Sequence, residues 1–245
     1  QYPDVKTQLG GFDVALLSSA ERLIMSPGLA LDNPVIQQAV SSGTHIGSDI
    51  DLFCEAVDAP IVAITGSNGK STVTTLLGDM AKKSGIKVGI GGNLGIPALD
   101  MLDDAKDLYI VELSSFQLET THQLNAESVV LLNLSEDHMD RYTTKLAYLQ
   151  AKQRIFRGAK KIIVNDDEAL SSPLVNTSMK LIHYGLHSND LDKFSILTKG
   201  AERYLAKGFE PLISVNELKS ISAIEKCNLA SESIVRVASR SRCSG

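Results

Sequence analysis

The densest chemistry in this chain sits in nine residues, ITGSNGKST, at positions 64–72. Gly66 and Gly69 let the backbone bend tightly, and Lys70 is followed by two hydroxyls, Ser71 and Thr72. The common phosphate-loop spacing, G-x-x-x-x-G-K-[ST], puts another glycine six residues before the lysine. Ile64 stands there instead, so the cradle is shorter but keeps every group that would hold a phosphate. An apolar strand, IVAIT, leads in, and a helix-forming stretch, STVTTLLGDMAKKSG, leads out. At such a helix start the backbone N–H groups point at an anion and the helix dipole favours its charge. Gly66, Ser67, Asn68, Gly69, Lys70, Ser71 and Thr72 are therefore expected to bind nucleotide phosphates. Lys70 would reach the outer phosphates as a point charge, and Ser71 would offer its hydroxyl to Mg²⁺.

Other residues gain meaning from that loop. Glu112 closes an apolar run, His138 lies in EDHMDRY, and Lys152 lies in YLQAKQRIF. Taken alone, a strand-end carboxylate is more often solvated or paired, and a histidine past a strand end usually caps a helix or faces water. Beside a phosphate loop the carboxylate gains weight, because Mg²⁺ takes hard oxygen ligands and open α/β sheets gather ligands at their C-terminal strand ends. Tyr148, Ala151, Lys152, Ile155 and Phe156 share one helical face, which puts the amine near apolar surface. The plainer expectation is a lysine that snorkels to water. A desolvated lysine, however, favours its neutral form, and a neutral amine can add carbon dioxide. Asn93, flanked by glycines in GGNLG, is expected to face a substrate, since its amide both donates and accepts. SPG at 26–28 reads equally as a tight turn or a ligand contact.

Short apolar runs alternate with helix-length amphipathic stretches along the chain. That rhythm predicts an α/β fold: a P-loop-containing, mostly parallel sheet flanked by helices, preceded by a partial Rossmann-like α/β domain. The boundary is expected before Pro60, giving residues 1–58 and 59–245. Strands are expected at 13–19, around THIG, at 61–65, in KVGIG, at 108–116, in SVVLLNLS and in KKIIVND, the last closing the parallel set. Helices are expected in NPVIQQAVSSG with Pro34 in its first turn, around DIDLFCEAV, after the loop, and from about 144 to 157. From about residue 179, KLIHYG, FSILT, RYLA and PLISV predict an antiparallel appendage or edge.

At 245 residues the chain can bury a sizeable core, and 43% hydrophobic with 22% charged residues is an ordinary globular composition. Its 24 basic and 29 acidic residues give net −5, which offers no electrostatic reason to bind nucleic acid. Cys54, Cys227 and Cys243 form no C-x-x-C pair, so a reduced, cytoplasmic setting is expected. No apolar run reaches the roughly 20 residues of a membrane span, so no membrane partner is expected. A monomer is expected. The opening QYPDVKTQLGG lacks signal-peptide features and an initiating methionine, which reads as a fragment or a processed product.

TGSNGKST, GGNLGIPAL, ELSSFQLE and EDHMDRY together resemble the Mur ligase family, the ATP-dependent amide-forming enzymes of peptidoglycan precursor synthesis. ELSSFQLE in particular is similar to the branch that adds D-glutamate to UDP-N-acetylmuramoyl-L-alanine. The likeness is strong from about Ser26 to Pro173. It implies ATP and Mg²⁺ as cofactors, UDP-N-acetylmuramoyl-L-alanine and D-glutamate as substrates, and an acyl-phosphate intermediate. It also implies that Lys70, His138 and Lys152 are catalytic, and that Ser71 and Glu112 hold Mg²⁺ at the phosphates. His138 and a carbamylated Lys152 would hold a second Mg²⁺. Ser26, Gly28, Asn93 and Ser114 would face the muramoyl substrate, with Ser26 and Gly28 at its diphosphate.

Departures from the family are expected to matter. The chain reads as entering midway through a first domain and lacking a C-terminal one, so low or no ligase activity is expected of it. EKCNLAS replaces a family H-N-x-x-N element on the adenine side: Cys227 stands for the histidine, Asn228 survives, and Ser231 stands for the second asparagine. The stretch 219–245 is atypical, and a frame change or premature end is the expectation drawn from it. A folylpolyglutamate-synthetase-like ligase, a simple P-loop NTPase and a non-catalytic nucleotide-binding remnant stay open as alternatives.

Overall fold

A computed structural model describes residues 5–174, 179–187 and 190–218. The chain opens with a small α/β layer. Helix α1 (Val14–Ser19) precedes strand β1 (Arg22–Met25), and α2 (Pro34–Ser41) crosses to β2 (His45–Ser48), which pairs in parallel with β1. Asn33 caps α2 and Pro34 occupies its first turn, where a missing N–H costs nothing. Ser48 and Asp51 form a capping box that starts α3 (Asp49–Ala56).

The larger sheet begins at β3 (Ile61–Thr65), which runs into the loop and α4 (Lys70–Lys83). Then come β4 (Val88–Gly92), β5 (Leu108–Glu112), α5 (Ser115–Thr120), β6 (Ser128–Leu131), α6 (Lys145–Gln153) and β7 (Lys161–Asn165). Strands β8 (Lys180–Tyr184), β9 (Phe194–Lys199), β10 (Glu202–Lys207) and β11 (Glu210–Ser214) complete it among the described residues. The order is β11-β10-β9-β8-β7-β6-β3-β5-β4. Every neighbouring pair from β4 to β9 is parallel, and β9-β10-β11 is antiparallel. The fold is α/β, with a mostly parallel sheet flanked by helices.

Residues of β3 alternate between two cores, as the two-residue strand period requires. Ile61 and Ala63 pack with Leu113, Leu118 and Phe156, while Val62 and Ile64 pack with Val73, Leu77 and Ala81 of α4. Burial on both faces explains why IVAIT and LYIVE read as continuous apolar runs. Ile50 and Phe53 of α3 enter the first core, and the Phe53 ring meets Tyr109 edge-on at 5.2 Å. The small layer is therefore seated against the larger sheet through α3.

Several sequence expectations need correction. The stretch 13–19 is a helix, because Asp13 caps it by accepting from the Ala15 and Leu16 amides, and none of its helical residues is buried. The strand of that region is β1, which the sequence reading passed over. The apolar run expected as a strand over 108–116 ends at Glu112, where Ser114 turns the chain into α5 through a second capping box. KKIIVND does not close the parallel set, since β8 and β9 continue it; among the described residues the antiparallel pairings are β9 with β10 and β10 with β11.

Candidate functional site

The loop after β3 is shaped from behind by the segment that follows β6. Ser67 N–H donates to the Asn133 carbonyl at 3.0 Å, and the Asn68 N–H donates to Asn133 Oδ1 at 2.8 Å. The Asn133 amide returns a bond to the Asn68 carbonyl at 2.9 Å. The Ser67 hydroxyl donates to the Ser135 carbonyl at 3.0 Å, accepts the Ser135 N–H at 3.0 Å and lies 3.0 Å from the Tyr148 hydroxyl. Gly69 adopts φ 78°, in the left-handed region glycine enters without strain, and sets the first turn of α4. No side chain caps that turn, so the amides that open α4 stay available to an anion. The Lys70 ammonium lies over the loop, donating to the Gly66 carbonyl at 2.9 Å and the Ser67 carbonyl at 3.0 Å. Ser71 and Thr72 fall in this same first turn, partly or fully exposed.

Glu112 ends β5, which pairs with β3 and places Glu112 opposite Ile64. Its side chain is 1% exposed. The Asn93 amide donates to Oε1 at 3.0 Å, whereas buried Oε2 has no partner. Asn93 is held in turn by its own N–H, which donates to the Glu112 carbonyl at 2.8 Å. Gly92 makes this approach possible: at φ 103°, a Cβ there would stand 2.4 Å from the Glu112 carbonyl oxygen.

Lys152 does not snorkel. It is 2% exposed, its side chain reaching from α6 to the end of β3. Its ammonium donates to the Gly66 carbonyl at 2.8 Å and to Thr65 Oγ1 at 3.3 Å, and sits 4.9 Å over the Tyr148 ring. Thr65 is fixed by donating to the Leu113 carbonyl at 2.7 Å. Burial, reinforced by the like charge of Lys70, pulls the Lys152 pKa down to about 7 against the opposing influence of Asp137 and Glu112. Two ammonium groups thus share one acceptor, the Gly66 carbonyl, within the influence of a buried carboxylate.

His138 stands at the rim, with its side chain 45% exposed. Its backbone takes φ 55°, unusual for a histidine, and its ring lies 4.9 Å from Phe116 and 6.4 Å from Tyr148. Asp137 holds it locally: the His138 N–H donates to Asp137 Oδ1 at 2.9 Å, and Nε2 is 3.5 Å from Oδ2. Among the described residues no three His, Cys, Asp or Glu side chains gather as a metal cage.

The structure thus brings Gly66–Ser71, Glu112, Asn93 and Lys152 together at the C-terminal edge of the sheet, with His138 beside Tyr148. Ser114 is engaged differently. Its hydroxyl caps α5, accepting the Gln117 N–H at 3.1 Å and lying 3.2 Å from Gln117 Oε1. Ser26 and Gly28 lie in a turn touched by Arg141 rather than by the loop residues. Asn228, with Cys227 and Ser231, lies outside the described residues. Sequence reading missed Thr65, Asn133, Ser135 and the hydroxyl of Tyr148. The expected strand SVVLLNLS ends early, at Leu131, which leaves Asn133 and Ser135 free to reach the loop; the contacts join residues 65 to 87 positions apart, so no local pattern reports them.

Against known proteins, the Mur ligase middle domain matches residues 64–219, and the Mur ligase MurD-like N-terminal domain matches residues 2–48. The chain is 52% identical over 227 residues to UDP-N-acetylmuramoylalanine–D-glutamate ligase of Pseudomonas savastanoi pv. phaseolicola, covering 93% of this chain and 51% of that protein. It is 49% identical over 218 residues to the enzyme of that name from Marinobacter nauticus, covering 89% and 49%. Among solved structures it is similar to UDP-N-acetylmuramate:L-alanyl-gamma-D-glutamyl-meso-diaminopimelate ligase from Neisseria meningitides. That match has TM-score 0.62 and 16% identity, over 93% of this chain and 78% of the other. The chain spans about half the length of the curated relatives it matches.

Proposed function

The chain belongs to the Mur ligase family, and from that premise we propose that it provides the ATP-dependent carboxylate-activating site of a D-glutamate-adding ligase of peptidoglycan precursor synthesis. Its substrates are then ATP, UDP-N-acetylmuramoyl-L-alanine and D-glutamate, and it acts as a cytoplasmic monomer. Residues 1–58 form part of a substrate-binding domain and 59–245 an ATP-binding domain. Relatives near 50% identity that are named D-glutamate ligases support this reading. The observation that carries it is Glu112: a fully buried carboxylate with one unpartnered oxygen, on the strand beside an uncapped phosphate loop.

An orphaned carboxylate oxygen is costly unless a cation or donor meets it. Glu112 Oε2 with the Ser71 hydroxyl fits Mg²⁺, which is held by one or two carboxylates plus phosphate oxygens rather than by an all-protein cage. His138 and Lys152, the latter only once carbamylated to an anion, would hold a second ion. Bound Mg²⁺ would neutralise phosphate charge during transfer. The chain's own residues do the rest. The first amides of α4 and the Lys70 ammonium hold the terminal phosphates, and Asn93 keeps Glu112 in place. Ser26 and Gly28 meet the substrate diphosphate, while Ser114 stays on the substrate side of α5.

The reaction is a balanced exchange. An oxygen of the alanyl carboxylate attacks the γ-phosphorus, the bond to ADP breaks, and an acyl phosphate forms. The D-glutamate amine attacks the acyl carbon, phosphate leaves with the bonding pair, and the amine loses a proton to give the amide. Lys152, drawn toward neutrality, can add carbon dioxide at Nζ and release a proton, becoming an anionic carbamate.

Calorimetry with Mg·ATP tests the reading on this protein and on Lys70→Ala and Glu112→Gln. Binding that both substitutions weaken supports it. Binding that neither alters removes the site. ATP turnover that ignores the muramoyl substrate would favour a plain NTPase. Intact mass at raised bicarbonate reports on Lys152, where an unmodified side chain would withdraw the carbamate.

A further inference from the structure

Arg141 has no role in the site described so far, yet its side chain touches both halves of it. The guanidinium donates to the carbonyls of Pro27 and Gly28 at 3.3 Å each, and of Leu29 at 3.1 Å. It also donates to Glu119 Oε2 at 3.1 Å and lies 4.5 Å from the centroid of the Phe116 ring. Both charged side chains are less than one-fifth exposed, so water screens the pair weakly. Phe116 in turn carries the His138 ring at 4.9 Å and stacks on Tyr142 at 5.8 Å. The backbone closes the circuit, because the N–H groups of Arg141 and Tyr142 both donate to the His138 carbonyl at 3.0 Å.

We propose that Arg141 is a positioning residue that holds the 26–28 turn and the His138 loop as one unit, so that the substrate turn and the rim histidine keep a fixed spacing. This rests on the functional reading above for what the two segments bind, but the juxtaposition is geometric. Three converging carbonyls, a carboxylate and a ring face call for a planar fork of donors, which lysine cannot supply. The left-handed backbone of His138 needs outside support of this kind.

The test uses the 245-residue protein without ligand, so its result stands apart from the nucleotide measurements. Amide hydrogen exchange and the His138 ring resonance are compared in wild type, Arg141→Lys and Arg141→Ala. The Leu29 amide, bonded to the Ser26 carbonyl at 3.0 Å, and the Tyr142 amide are expected to exchange about 10-fold faster in both variants. The His138 resonance is expected to lose the shift imposed by Phe116, while the Gly69 amide keeps its rate. Added guanidinium is expected to restore Arg141→Ala. Loosening of Leu29 with an unmoved His138 resonance would overturn the proposal, as would a Gly69 rate that rises by the same factor, or an Arg141→Lys protein identical to wild type. If Arg141→Ala does not fold, Arg141→Lys decides alone.

Discussion

Around Ser67 the loop is held by many bonds from the segment after β6 and from α6: neutral ones from Asn133, Ser135 and Tyr148, joined by the Lys70 and Lys152 amines on the loop carbonyls. The seam between the two sheets relies on a few charged groups instead. Buried Asp51 accepts the N–H of Ser48 at 3.0 Å, of His122 at 2.7 Å and of Gln123 at 3.2 Å, and the His122 ring lies 3.3 Å from its second oxygen. Arg141 provides the other tie. Redundant bonding tolerates the loss of one partner, whereas a lone ion serving many donors does not. The loop half of the site is therefore expected to be stiff, and the polar contacts of the half facing the small layer to lean on Asp51 and Arg141, beside the packing of Ile50 and Phe53 and the Ser48–Thr121 hydroxyl contact at 3.3 Å.

The contrast can be broken at its most exposed point. Asp51→Asn removes the charge and turns an amide toward amides, and should cost about 2–3 kcal/mol, read as a lowered midpoint in urea. Burial raises the Asp51 pKa, but the bonds from His122, Gln123 and Ser48 outweigh it and leave the folded value lowered. The stabilisation is then present above the unfolded carboxylate range, near about 4, and disappears as pH falls through the lowered folded value. The gap between wild type and Asp51→Asn should accordingly close on acidification.

Lys70→Ala probes the stiff half. It should leave the melting temperature within a degree or so but weaken Mg·ATP binding about 10- to 30-fold in calorimetry. Lys152→Met sharpens the same side. With its folded pKa near 7 and a normal unfolded one, wild type binds fewer protons folded than unfolded between those values. Its stability relative to Lys152→Met should rise with pH across that window, by at most about 1.4 kcal/mol per pH unit in denaturant titrations. Smallest is Ser114→Ala, which strips the cap of α5 and should cost about 1 kcal/mol in the same titration.

Much of the stiff half was legible in the sequence. IVAIT, the two glycines and the helix behind them fix their own neighbourhood, and LYIVE had to lie inside the sheet to be so apolar. The charged seam was not legible. Asp51 and His122 are 71 positions apart, and Arg141 and Gly28 are 113 apart, so no local pattern reports them. DVALLSS misled because seven residues are too few to separate a strand's period from a helix's, and the cap at Asp13 decides between them. Lys152 was legible as a lysine on an apolar face. Its burial was not, because that depends on where α6 lands.

Asp51 belongs to two elements at once. It completes the box that starts α3, and it receives the backbone of the chain leaving α5. Fraying of α3 would strand the amides of residues 122 and 123, and release of those amides would weaken the start of α3. The two layers should therefore melt in a single transition by calorimetry and by circular dichroism alike. Cutting the chain near Pro60 would not yield two independent folding units.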